Sequence, residues 1–220
     1  MSPIALITGL VVVTAAFAGL AVYQRRRYRA FIRAAAQIGL RCRFLLNSKA
    51  EFGRSHAANP IYHPTAEGDY RGRPVIVSPS TPGRSKRSRV ELRARLQAAE
   101  LRRIIASKRS AEGASEIGMA AATLAQYASQ GEVRDTVGDE ALDARFSILG
   151  VQDERVRRAL VSPDVVTELV ALADAYPSVS LINGWLAIED GAADYGSLGA
   201  HLDRVTLAAS RVESAFAASA

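Results

Sequence analysis

The sequence predicts an α+β fold in which an N-terminal transmembrane helix precedes a cytoplasmic, largely antiparallel sheet packed with helices. Three observations predict this fold: an uncharged apolar run opens the chain, helix and strand patterns intermix, and an Asn-Gly hairpin signal lies in the C-terminal third. We expect the transmembrane helix and a basic juxtamembrane extension in residues 1–40. The cytoplasmic domain is expected in residues 41–220, with its clearest module at residues 138–217.

The apolar run extends from Ile4 to Tyr23 and contains no charged residue. At about 1.5 Å per residue it would span roughly 30 Å, which is the thickness of a hydrocarbon core. Ala16 and Ala18 also have the spacing of a signal-peptide cleavage site. The run is long for a signal peptide, however, and no basic segment precedes it. The pattern therefore favours an uncleaved, single-pass membrane helix.

A cluster of arginines follows this run and predicts its orientation. Residues 1–110 hold 21 Lys/Arg and 5 Asp/Glu, whereas residues 111–220 hold 7 and 17. Basic residues accumulate on the cytoplasmic side of a membrane helix and attract anionic lipid there. We therefore expect a cell-membrane protein with its N-terminus outside and its C-terminal domain in the cytoplasm. The arginines predicted to contact anionic lipid are Arg25, Arg26, Arg27, Arg29 and Arg33.

Three elements are predicted in the basic half beyond the membrane segment. A helix continues over Arg25–Ile38, because no helix breaker occurs before Gly39. Strands are predicted at Tyr70–Val77 and at Arg89–Leu96, and the second strand alternates apolar with charged residues.

The segments between these elements have weaker patterns. Proline-containing breakers predict an irregular connection over residues 47–68, and residues 78–88 read as a basic loop without apolar residues. Residues 101–105 either extend the second strand or begin a helix. Residues 111–132 have few large apolar side chains and are compatible with a weak helix or a linker.

The acidic C-terminal third has clearer patterns. Ser162, Pro163 and Asp164 are typical of a helix start, with a capping hydroxyl, a proline in the first turn and an acid near the positive end of the dipole. The predicted elements are a strand at Leu142–Leu149, a helical turn through Val156 and Leu160, a helix from Ser162 to Tyr176, and a helix over Leu198–Phe216 with an apolar stripe.

Asn183 and Gly184 predict a two-residue hairpin turn between two apolar runs, because both positions need positive φ. The resulting register pairs Val179 with Ile188 and Leu181 with Leu186 on an apolar core face. Ile182 and Trp185 then share the opposite face. This pair is either an exposed partner-contact site or is covered by further structure, and the rarity of exposed tryptophan favours burial of Trp185.

Residues 138–216 resemble an uncharacterised family of bacterial membrane-anchored proteins with a cytoplasmic α+β module. The matching positions are Gly138, Asp139, Asp143, Phe146, Asp153, the run Leu160–Pro163 and the hairpin end Trp185–Ile188. Leu142 departs from the pattern, in which an aromatic residue is more common. The resemblance implies the fold and the membrane anchor, and no activity comes with it.

Few residues carry catalytic or metal-binding patterns. Asp139, Glu140 and Asp143 cluster as an acid/base pair or a divalent-cation site would require, although acids after a glycine more often cap or turn the chain. Glu189, Asp190 and Asp194 form a second acidic group, for which a solvated loop is the simpler interpretation. No cofactor motif is present.

The single cysteine excludes an internal disulfide and a cysteine-based zinc cage. Arg41 and Arg43 could lower the pKa of the Cys42 thiol, but a half-buried thiol is the simpler interpretation. The histidines are His56, His63 and His201; they have no metal-ligand spacing, and His201 is expected to be exposed.

These patterns favour a membrane-tethered cytoplasmic binding or scaffold module without catalytic activity, whose protein partner the sequence does not identify. One alternative is a membrane-surface enzyme that uses Asp139, Glu140 and Asp143. The other is nucleic-acid binding through the basic region 84–109, which is disfavoured because no aromatic residue is interleaved with the charges.

Overall fold

The computed structural model describes Gly19, Val22 and Arg26 and the ranges 28–45, 63–80, 89–108, 136–190 and 195–219. Within these residues the strands are β1 (Arg41–Leu45), β2 (His63–Tyr70), β3 (Arg73–Ser80), β4 (Arg89–Arg95), β5 (Ile105–Lys108), β6 (Phe146–Leu149), β7 (Ser178–Ile182) and β8 (Trp185–Asp190). The helices described are α1 (Arg29–Gln37), α2 (Glu140–Arg145), α3 (Glu154–Leu160), α4 (Pro163–Ala175) and α5 (Leu198–Ala218).

The eight described strands form one sheet in the order β1-β2-β3-β4-β8-β7-β5-β6. Every neighbouring pair is antiparallel. The predicted combination of helices with a largely antiparallel sheet is therefore confirmed. The hairpin β7–β8 is inserted between β4 and β5, so residues from distant parts of the sequence become neighbours at the centre of the sheet.

The transmembrane part of the predicted fold is contradicted. In the described part of the chain, no helix is both long and apolar enough to cross a membrane. Apart from Gly19 and Val22, the predicted span at residues 4–23 lies outside the described residues. The helix α1 is amphipathic and buries Phe31 and Ala35, so its apolar face packs against protein. The predicted cellular location stays a prediction.

One face of the sheet forms the hydrophobic core with the helices. Alternation along β4 buries Val90, Leu92 and Ala94, while Glu91 and Arg93 lie on the opposite face. The predicted stripe of α5 is confirmed, because all of its members are buried against this core. They are Leu198, Leu202, Val205, Ala209, Val212 and Phe216.

The predicted hairpin is confirmed in turn and register. Asn183 and Gly184 have φ values of 53° and 74°, as a type I′ turn requires. Leu181 pairs with Leu186, and Ile182 pairs with Trp185.

A second hairpin turn was missed, and it makes two predictions wrong. Arg71 and Gly72 have φ values of 52° and 77°, and this turn divides the predicted strand Tyr70–Val77 between β2 and β3. Residues 63–68 belong to β2 rather than to an irregular connection. Pairing with β1 and β3 supplies backbone hydrogen bonds that compensate for the poor strand propensity of this segment.

The strand predicted at Leu142–Leu149 is also wrong in its first half. Residues 140–145 form α2, and only residues 146–149 form β6. The Asp139 side chain accepts a hydrogen bond from the Leu142 amide, which satisfies a free donor in the first turn and starts a helix. Ser162, by contrast, precedes α4 without the predicted capping hydrogen bond. Residues 101–105 neither extend β4 nor begin an α-helix. A 3-10 turn at Glu100–Arg103 precedes the separate strand β5.

Candidate functional site

The face of the sheet opposite the described helices carries Trp185, the only tryptophan in the sequence. Arg95, Trp185 and Ile182 follow one another in one row across this face. Because Val75 pairs with Ala94, continuation of the register places Pro74 at the end of the same row. Trp185 is half-buried, and Ile182 is 9% exposed. Both therefore lie on the face that the register predicted, while their role in partner contact stays a prediction.

Arg95 packs against Trp185 and is held by the adjacent turn. Its guanidinium carbon lies 5.0 Å from the centroid of the Trp185 ring, a distance at which a cation is attracted to the ring face. Its Nη1 donates a hydrogen bond of 3.2 Å to the Asn183 carbonyl oxygen. We use the name Trp185 corner for Arg95, Arg102, Ile182, Trp185 and the Asn183–Gly184 turn.

Arg102 reaches the Trp185 corner because Gly184 has no side chain. A β-carbon on Gly184 would lie 2.7 Å from Cγ of Arg102, so the arginine stem occupies the space that another residue would fill. The Leu96 amide donates to the Gly184 carbonyl at 2.7 Å and holds the chain after β4 against the same turn. The exposed Arg102 side chain is thus positioned beside Arg95.

The two arginines interact electrostatically. Burial, followed by the positive charge of Arg102, lowers the pKa of the Arg95 guanidinium. Among the described residues, no carboxylate forms an ion pair with Arg95 or Arg102. A positive charge that its own fold leaves without a carboxylate is a site where an external anion would be stabilised.

Two of the three carboxylates predicted as a possible catalytic cluster accept hydrogen bonds from nearby backbone amides. Asp139 caps α2 through the Leu142 amide at 3.0 Å. Asp143 accepts hydrogen bonds from the Val137 and Gly138 amides at 3.0 and 3.1 Å. Glu140 is exposed in the first turn of the helix. These contacts agree with the alternative interpretation, in which such acids turn and cap the chain.

The core holds a cavity of about 20 Å³, lined by residues that include Leu142, Phe146 and Leu160. That volume suffices for about one water molecule and is too small for a substrate. Within the described ranges, no group of three or more His, Cys, Asp or Glu could hold a metal ion.

Cys42 lies half-buried on the core side of β1, paired with Ala66 of β2. Burial raises the pKa of its thiol. Arg41 and Arg43 do not lower this pKa, because the alternation of the strand directs their side chains to the other face of the sheet. On that face Arg43 forms an ion pair of 2.6 Å with Glu67.

His201 is not exposed as predicted but lies in a polar cluster. Its Nδ1 is 2.7 Å from the Tyr176 hydroxyl, and its Nε2 is 2.9 Å from the Ser197 hydroxyl. Asp190 Oδ2 lies 3.4 Å from the same Nε2. This acid was predicted in a solvated loop, but it is the last residue of β8. Glu189 also belongs to β8 and pairs with Arg89. His63 begins β2, whereas His56 and Asp194 lie outside the described residues.

The basic residues proposed for lipid and nucleic acid are only partly described. Arg26, Arg29 and Arg33 are exposed, while Arg25 and Arg27 lie outside the described residues; their contact with anionic lipid stays a prediction. In the region 84–109, carboxylates neutralise two of the arginines. Arg89 pairs with Glu189 at 3.4 Å, and Arg93 pairs with Glu91 at 2.8 Å. The described part of this region is therefore not a continuous stripe of free positive charge.

Comparison with known proteins places the fold but not a family. No family model matches the sequence, and no curated protein matches it. The fold is similar to the crystal structure of the mycobacterial trehalose monomycolate transport factor A, TtfA, with a TM-score of 0.50 and 12% sequence identity. The match covers 85% of this chain and 92% of that chain. At this identity the likeness shows the fold alone, and the resemblance to a bacterial membrane-anchored family stays a prediction.

Proposed function

We propose that this protein is a non-catalytic binding module that acts as an accessory factor and holds a protein partner at the Trp185 corner. The observation that carries the proposal is the position of Trp185. It is half-buried on the sheet face opposite the described helices, with Arg95 stacked on its ring. Tryptophan and arginine are the residue types that most often dominate the energy of protein interfaces.

The contacts of the acidic residues support binding over catalysis. Asp139 and Asp143 accept hydrogen bonds from backbone amides, so their lone pairs are engaged in holding α2. The nearby core cavity has space for about one water molecule. An enzyme that used these acids would need them to face a cleft large enough for a substrate.

The fold comparison supports the accessory role at a coarse level. The similar structure is that of a transport factor, which is consistent with an accessory role. Because the two chains share 12% identity, the comparison supports a class of role and carries neither partner nor cargo to this protein.

Site-specific photocrosslinking in the cells that produce the protein tests the proposal. One variant carries a photoreactive phenylalanine at Pro74, which is exposed in the same row as Arg95 and Trp185. The matched control carries it at Leu207, a side chain that is 47% exposed on α5. We expect a discrete adduct from position 74 that disappears in the background Trp185→Ala, and no such adduct from position 207.

Two outcomes would overturn the proposed function. Adducts from position 207 alone would place the partner on the helical side of the protein. An adduct from position 74 that survives Trp185→Ala would show that the Trp185 corner does not hold the partner.

A further inference from the structure

The arginines of the Trp185 corner differ from most of those on the described sheet and its turns. Arg43 pairs with Glu67, Arg89 with Glu189 and Arg93 with Glu91. In the turn before β3, Arg71 pairs with Asp203, and at the start of β3, Arg73 pairs with Glu213. Pairing with a carboxylate is thus common on these strands, although the exposed Arg41 of β1 forms no such pair among the described residues. Within the described residues, Arg95 and Arg102 form no such pair.

The Arg95 guanidinium and the stem of Arg102 are restrained before any ligand binds. The Trp185 ring and the Asn183 carbonyl restrict Arg95, and the contact with Gly184 restricts the stem of Arg102. A guanidinium group has five N–H donors and matches a carboxylate through two parallel hydrogen bonds. A restrained guanidinium with a second positive charge beside it can therefore bind one oxyanion at a reduced entropic cost.

The surroundings select among possible anions. A nucleic-acid backbone or an anionic bilayer presents charge over an extended surface, and binding it requires many free cations. The neighbouring Arg89 and Arg93 are already neutralised by Glu189 and Glu91. On β4 and in the link to β5, the positive charge without a carboxylate therefore includes Arg95 and Arg102, which lie beside the half-buried Trp185. A carboxylate next to an apolar side chain fits this arrangement, and acidic protein segments provide that combination.

We infer that the Trp185 corner recognises an acidic segment of a partner protein, in which one carboxylate bridges Arg95 and Arg102 and an adjacent apolar side chain contacts Trp185. The inference rests on the proposed function and adds the chemistry of the partner. A bound carboxylate would also offset the repulsion between the two arginines, which contributes to the lowered pKa of Arg95.

The fluorescence of Trp185 provides a direct test, since it is the only tryptophan in the chain. The full-length protein is titrated with a capped peptide of alternating leucine and glutamate. The matched probe replaces each glutamate with glutamine. We expect the glutamate peptide to shift the Trp185 emission and to bind at least about tenfold more tightly than the glutamine peptide, because a charge-assisted bidentate contact is lost in the second.

Variants then locate the contact. Arg102→Gln removes an exposed guanidinium group and should weaken binding of the glutamate peptide about tenfold. Arg103→Gln is the matched control, because this neighbouring arginine is also exposed but does not belong to the Trp185 corner; its affinity should be unchanged. Circular dichroism melting of each variant verifies that the fold is intact.

Other results would overturn the inference. Equal binding of both peptides, or no emission change with either at millimolar concentration, would exclude carboxylate recognition. The photocrosslinking result at Pro74 would still decide the proposed function separately. Tighter binding to inorganic phosphate, phosphatidylglycerol vesicles or a single-stranded oligonucleotide than to the glutamate peptide would assign the corner to another anion and reject an acidic protein segment.

Discussion

Arg73 at the start of β3 and Glu213 near the end of α5 form an ion pair in which Nη2 and Oε2 are 2.6 Å apart. The two side chains are only 10% and 18% exposed. Arg73 also donates to the Arg95 carbonyl oxygen, and Glu213 accepts a hydrogen bond from the Gln97 amide. The pair therefore connects the C-terminal helix to β3 and to the chain that leaves β4, next to the Trp185 corner.

Glu213→Ala should lower the free energy of unfolding by roughly 3 kcal/mol, because it leaves the Arg73 charge buried without its partner. Urea unfolding monitored by circular dichroism measures the loss. Arg211→Ala on the same helix is the control, since its ion pair with Asp164 is exposed and should contribute about 0–1 kcal/mol. Equal losses for the two variants would contradict a structural role for the Arg73–Glu213 pair.

Trp185→Ala should destabilise the protein by about 1–2 kcal/mol. Complete burial would predict roughly 3–5 kcal/mol, but Trp185 is half-buried and retains contact with solvent. Thermal unfolding measures the difference, and Trp185→Phe serves as the control because it keeps a ring for Arg95 to pack on. A loss near 5 kcal/mol would mean that Trp185 is a core residue rather than a binding residue.

Asp139→Ala should cost about 1 kcal/mol of stability, because the Leu142 amide loses its capping acceptor. Glu140→Ala is the control at the exposed neighbouring position and should change stability by less than about 0.5 kcal/mol. Chemical denaturation distinguishes the two variants. If Glu140→Ala cost as much as Asp139→Ala, the capping explanation of this acidic cluster would be wrong.

The environment of Tyr70 should make the stability of the protein depend on pH in the alkaline range. Burial and the hydrogen bond to Asp203 raise the pKa of its phenol above 10.0. As pH rises, the phenol of the unfolded chain therefore loses its proton before that of the folded protein. The contribution of Tyr70 to the free energy of unfolding is complete below about pH 10 and is lost as pH rises through the pKa of Tyr70 in the folded protein.

Tyr70→Phe should accordingly reduce the decline in unfolding free energy between about pH 9 and pH 11. Tyr176→Phe is a useful comparison, since burial also raises the pKa of that phenol. Urea unfolding at a series of pH values measures each contribution. A decline unchanged by Tyr70→Phe would show that the Tyr70–Asp203 contact does not shift the titration.

Cys42 should react slowly with thiol reagents in the folded protein. Its side chain is half-buried on the core face, and burial raises its pKa, so the reactive thiolate is scarce near neutral pH. The rate of reaction with a chromogenic disulfide at pH 8 should be at least about tenfold lower than in urea. Comparable rates in the folded and unfolded protein would contradict this burial.

Local signals in the sequence determined several elements of this protein. Asn183–Gly184 specifies its own turn because both residues tolerate positive φ, and the turn sets which side chains share a face. The stripe of α5 and the alternation of β4 likewise follow from the helical and strand periods. The positions of Ile182 and Trp185 could therefore be predicted without a structure.

The tertiary structure alone decided the rest of the site. Arg95 and Trp185 are 90 positions apart by their numbers in the sequence, and they meet because β8 pairs with β4 while the link to β5 passes the hairpin turn. Arg102 joins them through the space that Gly184 leaves. Strand order depends on the packing of the whole core, since each strand requires a neighbour for its backbone hydrogen bonds and an apolar layer for its inner face. No local sequence pattern specifies which strand that neighbour is. The sequence therefore predicted the shared face of Ile182 and Trp185, whereas the contacts of Arg95 and Arg102 followed only from the tertiary structure.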